Sequence, residues 1–223
     1  MRIAYASDWS PLNQENADLV VLIPVAIVLG AYLVGSFPTA YVMVRLATGD
    51  DIRLLGTKNV GTLNTFQQAG IWPAVPVFLV DVGKGVLAVS VPTWIDAPQW
   101  MMFLTAVFVV LGHNWSVFLK FQGGKGAAAI LGISLMLAPT LTLVTLGSVV
   151  LVSILVRNIV LGVAFGFILW NIMWVLSGQS PERISLCVLL TSVVVITYIV
   201  SIREHVLQSI KGRRWKELFI GLR

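Results

Sequence analysis

Charge is scarce in this sequence. Of 223 residues only 11% are Asp, Glu, Lys or Arg, whereas 57% are apolar, and the mean hydropathy is +0.90. A soluble domain carries about 25% charged residues, so too few polar side chains are present to cover a water-facing surface. Cysteine is scarcer still. The one cysteine, Cys187, excludes an intramolecular disulfide framework and reads as a small residue inside a long apolar run. With only two histidines, His113 and His205, groups of His, Cys, Asp and Glu at metal-ligand spacing are missing. Also missing are a P-loop, whose two glycines with four residues between them lead into Lys-Ser/Thr, a G-x-S-x-G elbow, and an acidic residue at a His-x4-Asp interval from His113. Acidic charge is the minority, 10 residues against 15 basic ones, for a net +5. That balance suits anionic lipid headgroups or a phosphorylated substrate. The basic residues are scattered between hydrophobic runs and form no stripe, which excludes nucleic acid as a partner.

What is present is a series of hydrophobic runs. A bilayer core about 30 Å thick takes about 20 apolar residues per helix. Spans are expected over residues 19–46, 71–95, 100–118, 140–156, 161–176 and 184–202. Residues 127–137 form a seventh segment, short for an ordinary crossing and so either tilted or re-entrant. The polar head carrying Asp8, Glu15 and Asp18 lacks the basic start of a signal peptide. With an external N-terminus and seven crossings, 12 of the 15 basic residues fall on the cytoplasmic side, in segments 45–58 and 120–125, at Arg157 and in the tail from Arg203. Arg2 and Arg183 fall outside and Lys84 within a span, a strong positive-inside bias. Six crossings would strand Arg157 or the basic tail. No repeat or linker interrupts the chain, so residues 1–223 read as one all-α membrane-embedded domain of about seven helices.

The few polar residues cluster. Gly35-Ser36-Phe37-Pro38 sits near the inner end of the first span, either as a small-residue helix contact with a proline kink or as part of a site. Residues 51–64 combine glycines, hydroxyls and amides with Arg53 and Lys58. Glycines let a backbone turn its N–H groups toward an anion, though a solvated loop would also hold glycines and charges. Gly112-His113-Asn114 precedes Phe121-Gln122-Gly123-Gly124-Lys125-Gly126 at the start of an apolar helix, where free N–H groups and a lysine suit a phosphate. His113 on its own fits a hydrogen-bonded structural role as well as a catalytic one. Asp81 and Lys84, one helical turn apart, lie mid-span. Charges there cost at least about 2.5–3.5 kcal/mol each, so they form a structural pair or Lys84 faces a polar, substrate-holding cavity.

Taken in order, these clusters resemble the acyl-phosphate-dependent glycerol-3-phosphate acyltransferases of bacterial membranes, the PlsY type. The matching stretches are Gly35-Ser36-x-Pro38, Asp51-Ile52-Arg53-x-x-Gly56-Thr57-x-Asn59-x-Gly61-x-x-Asn64, Asp81-x-x-Lys84-Gly85, and Gly112-His113 through Gly123-Gly124-Lys125-Gly126. The resemblance implies a seven-helix enzyme of the bacterial plasma membrane with a cytoplasmic active site. Such an enzyme moves an acyl chain from acyl phosphate to the 1-hydroxyl of glycerol 3-phosphate, and it uses no metal or nucleotide cofactor. It also implies roles. Ser36, Arg53, His113 and Lys125 would be catalytic. Thr57, Asn59, Gly61, Asn64, Lys84, Gly123, Gly124, Gly126 and His205 would bind substrate. The backbone of residues 123–126 would supply N–H donors.

The chain departs from the family pattern at Lys58, where the family has glycine. Val160 and Gly162 stand where it has serines, Ile202 where it has histidine, His205 where it has asparagine, and Arg214 where it has glutamate. These departures keep open a second expectation, a catalytically altered or inactive paralogue that binds phosphate or anionic lipid, or acylates another acceptor.

Overall fold

The computed structural model describes the backbone of residues 14–211 and the side chains of residues 22–203, and its described residues are helical with no strand. The helices fall into two compact units, Met1–Met136 and Leu137–Arg223. Six stretches are long and apolar enough to cross a membrane, and the eleven-residue helix Ala127–Leu137 is a shorter apolar one. This agrees with an expected set of about seven segments, one of them short.

The first unit contains α1 (Gln14–Ser36), α2 (Thr39–Thr48), α3 (Thr62–Ala69), α4 (Ile71–Trp94), α5 (Gln99–Asn114) and α6 (Ala127–Leu137). Its principal contact is α1 against α5, and α4 packs on α2, α3 and α5. Glycines set how closely the helices approach. A Cβ on Gly35 would lie 2.1 Å from the Val109 carbonyl oxygen, and one on Gly112 would lie 2.1 Å from that of Tyr32. The α4–α6 contact repeats the reciprocal arrangement, with Gly85 against Ala129 and Gly132 against Val82. Lipid offers no hydrophobic drive between apolar helices, so such close backbone packing replaces it.

The structure differs from the sequence reading at three places in this unit. The first expected span, 19–46, is two helices separated at Phe37 and Pro38, because proline lacks an N–H and disfavours helical geometry in the residue before it. The run expected over 100–118 is helical to Asn114 and continues as a 3₁₀ turn at Val117–Leu119. Between these, Ser116 donates to the Ser36 carbonyl at 2.5 Å. Residues 51–64 are more than a loop. Asp51 caps a 3₁₀ turn, Ile52–Leu54, by accepting from the Arg53 N–H, and α3 follows.

In the second unit α7 (Pro139–Val156), α8 (Ile159–Leu176) and α9 (Pro181–Lys211) follow in order. The α7–α8 turn places Arg157 at φ 54°, and the Asn158 side chain accepts from the N–H groups of Val160 and Leu161 to cap α8. A side chain at Gly162 would meet Ser153 Oγ at 1.9 Å and the Val149 carbonyl oxygen at 2.8 Å. That closeness leaves no room for the serine that the family resemblance implies at this position. His205 lies on α9, with its side chain outside the described residues, as Gly212, Arg213 and Arg214 are altogether.

Candidate active site

A small polar cleft opens within the first unit, lined among others by Ser36, Thr39, Asp81, Lys84, His113 and Gly123. The α1–α2 break presents the first two. Ser36 is 1% exposed and Thr39 6%, and neither hydroxyl has a hydrogen-bond partner. Unpaired buried hydroxyls are costly, so their orientation into a cleft marks a place for a polar ligand.

Opposite them, α4 supplies a buried ion pair. Lys84 Nζ donates to Asp81 Oδ1 at 2.7 Å, and both side chains are at most 4% exposed. The same ammonium donates at 2.7 Å to the Phe37 carbonyl, which the helix break has released. His113 Nδ1 lies 3.6 Å from Asp81 Oδ1. Lys84, expected to contact substrate, thus directs its ammonium at two protein acceptors.

The glycine-rich turn closes the cleft on the α5 side. Gly124 N–H donates to the His113 carbonyl at 2.9 Å, and the Gly123 carbonyl accepts from Val60 N–H at 3.4 Å. A Cβ on Gly124 would fall 2.1 Å from His113 Nε2, and one on Gly123 would fall 2.2 Å from the His113 carbonyl oxygen. Gly126 adopts φ +79°, the left-handed region that only glycine enters freely. Of the N–H donors expected at 123–126, that of Gly124 is engaged on α5. Here the glycines bring the turn against the histidine. Lys125 follows half-buried on the approach to α6, and burial holds its ammonium below the usual lysine range.

Arg53 and residues 57–64 form a second group beside the cleft. Arg53 makes a fork with Asp51, with Nη2–Oδ2 at 2.6 Å and Nε at 3.0 and 3.1 Å from the two oxygens. This hydrogen-bonded pairing holds the Asp51 carboxyl below, and the Arg53 guanidinium above, its ordinary range. Arg53 also packs over the Tyr41 ring at 5.4 Å and reaches 3.5 Å from the carbonyl of Leu119, a cleft-lining residue.

Asn64, expected to touch substrate, is 1% exposed. It accepts from Thr57 N–H at 3.2 Å and donates to the Leu55 and Asn59 carbonyls at 3.1 and 3.0 Å. Its amide thus braces the loop from within. Thr57 is exposed, Asn59 half-buried and Gly61 buried at the start of α3. The structure thus gathers Ser36, Lys84, His113 and Gly123 in the cleft, whereas Arg53, Thr57, Asn59, Gly61 and Lys125 do not line it. The sequence reading passed over Thr39 and Ser116 as site residues. A hydroxyl directly after Pro38 was the available signal for Thr39.

Next to the cleft runs an open apolar groove of about 590 Å³, lined by Leu33, Val34, Val80, Leu87 and Phe118 together with Gly83. It shares Phe37 and Lys84 with the polar cleft.

Comparison with known proteins places this geometry among relatives. Residues 25–210 match the family profile described as glycerol-3-phosphate acyltransferase. A glycerol-3-phosphate acyltransferase 2 of Dehalococcoides mccartyi is 32% identical over 189 residues, 85% of this chain and 89% of that one. A namesake from Moorella thermoacetica is 48% identical over 109 residues, 49% of this chain and 56% of that one. Among solved structures, PlsY, an integral membrane glycerol 3-phosphate acyltransferase, superposes in its glycerol 3-phosphate form with a TM-score of 0.74 and 26% identity, covering 86% of this chain and 94% of that one. Its lysophosphatidic acid form gives 0.72 and 25%, covering 86% and 93%.

Proposed function

The chain belongs to the glycerol-3-phosphate acyltransferase family, and from that premise we propose how its cleft and groove carry out the reaction. The protein is a multi-pass membrane acyltransferase that converts glycerol 3-phosphate to lysophosphatidic acid. The donor is acyl phosphate. Its chain lies in the apolar groove and its phosphate end faces the cleft. The observation that carries this reading is the junction itself, where Phe37 and Lys84 border a buried polar cleft on one side and an open apolar groove on the other. An amphipathic donor fits such a junction, because the chain partitions into lipid while its charged end cannot.

The glycerol 1-hydroxyl attacks the acyl carbon, an ester C–O bond forms, and the mixed-anhydride bond breaks with its electron pair leaving on phosphate. The hydroxyl proton ends on the released phosphate. An acyl phosphate is already activated, so the protein positions two substrates and stabilises the charge that develops on the carbonyl oxygen. Ser36 and Thr39 donate their unpaired hydroxyls to that end of the donor, and His113 Nε2 orients the attacking hydroxyl. Lys125 and Arg53 neutralise phosphate, with Arg53 exchanging its Asp51 partner for the ligand. Thr57, Asn59 and Gly61 border the phosphate side of the site. The active site faces the cytoplasm.

The test is turnover by the purified full chain in lipid nanodiscs, with glycerol 3-phosphate and palmitoyl phosphate, palmitoyl-CoA or palmitoyl carrier protein supplied separately. Lysophosphatidic acid is expected from the first donor alone. Formation from a thioester donor and not from acyl phosphate would overturn the donor assignment.

A further inference from the structure

The mechanism above leaves Asp81 without a task, although it is 2% exposed in the middle of α4. A carboxylate at that depth survives only with partners. It has two, both belonging to the cleft. Lys84 reaches it at 2.7 Å and continues to the Phe37 carbonyl at 2.7 Å, so one ammonium ties α4 to the α1–α2 break that presents Ser36 and Thr39. His113 turns Nδ1 toward the same oxygen at 3.6 Å. Its other ring nitrogen faces Gly124, where even a methyl group would approach to 2.1 Å. A histidine whose Nδ1 faces a carboxylate carries its proton there, which leaves Nε2 as the acceptor. The backbone at His113 is tied to the same turn, its carbonyl accepting from Gly124 N–H.

We propose that Asp81 is the positioning residue of this active site: it holds His113 in the Nδ1–H tautomer, which leaves Nε2 as the ring's hydrogen-bond acceptor, and through Lys84 it holds the helix break that presents Ser36 and Thr39. This rests on the acyltransferase reading given above. Asp81 does not touch substrate; it acts through His113 and Lys84. The two halves of the cleft are thereby coupled through one carboxylate oxygen, so a disturbance at α4 reaches the nucleophile side and the donor side together.

The experiment uses the full chain in lipid nanodiscs with ¹⁵N-labelled histidine. The His113 signals are assigned by their loss in His113→Gln. In the wild type the neutral ring is expected protonated on Nδ1. In Asp81→Asn that population should fall, kcat should drop about tenfold or more, as loss of positioning does, and KM for glycerol 3-phosphate should change little. Asp81→Glu should recover the tautomer and part of kcat. The pair variant Asp81→Asn/Lys84→Met avoids a lone buried charge and serves if Asp81→Asn fails to fold. Protonation of wild-type His113 on Nε2 would overturn the proposal outright, and so would a folded Asp81→Asn or pair variant that keeps both tautomer and kcat. Absence of turnover in the wild type would instead overturn the donor and mechanism reading, and the tautomer measurement would still decide the role of Asp81.

Discussion

At the scale of single residues, close approach explains more of the site than charge does. Gly124 lies so near His113 Nε2 that a methyl group would meet it at 2.1 Å. Gly124→Ala is expected to push the imidazole out of place and cut kcat about 100-fold, the cost of roughly an ångström of misplacement, while the protein still inserts and folds. A turnover assay beside a thermal unfolding curve in detergent separates the two effects, and wild-type kcat in a folded variant would show that the ring has room. Lys125 makes a prediction through pH. Burial lowers its proton affinity, and only its cationic form attracts phosphate. Activity should therefore fall as pH rises through a value below the usual lysine range. In Lys125→Arg the guanidinium stays charged, so the alkaline limb should move upward even if the maximum rate is lower. A limb in the same place would assign it to another group.

At the scale of elements, the α7–α8 turn and the α1–α4 groove carry the next two expectations. Gly162 stands where the family resemblance implies a serine, yet α7 leaves it no space, with Ser153 Oγ 1.9 Å from the position of a Cβ. Gly162→Ser should destabilise the protein by about 1–3 kcal/mol, as overpacking does, seen as a lower unfolding midpoint. Val160→Ser, at the half-buried start of α8, should leave the midpoint unchanged. Equal midpoints in both variants would mean that α7 and α8 separate easily. Gly83 lines the apolar groove, and a side chain there meets nothing within 4 Å. Gly83→Phe should therefore fold normally and fill part of the groove. Turnover of long-chain acyl phosphates should fall several-fold relative to short ones, measured as kcat/KM across a chain-length series. A uniform loss across the series would place the chain elsewhere.

At the scale of the whole molecule, charge predicts the orientation. The positive-inside bias predicts segment 45–58 on the cytoplasmic side and the α8–α9 turn outside. Single cysteines at Lys58 and Ser180, both exposed, in a Cys187→Ser background should label from opposite sides of intact cells, with Ser180 outside. Labelling from one side would require an even number of crossings between them.

The sequence by itself determined the solvent, the helical class and the family. Few charges, repeated apolar runs of bilayer length and an ordered set of motifs are local or additive properties, readable without coordinates. It also marked Ser36, Lys84, His113 and Gly123 as site candidates, which share one cleft. What only the tertiary structure decided are the partnerships. Spacing alone could not divide the roles of three similar polar residues: Asn64 braces a loop, Lys84 ties α4 to the Phe37 carbonyl, and Thr39 stands with an unpaired hydroxyl in the cleft. The first two depend on which backbone group a side chain meets, 5 and 47 positions away in sequence. The short helix α3 escaped for a related reason, since eight residues give too little periodicity to stand out. The glycine-rich turn reads in sequence as a row of anion donors. In the fold Gly124 donates to α5, because a turn packed against a helix end satisfies its own buried N–H groups first.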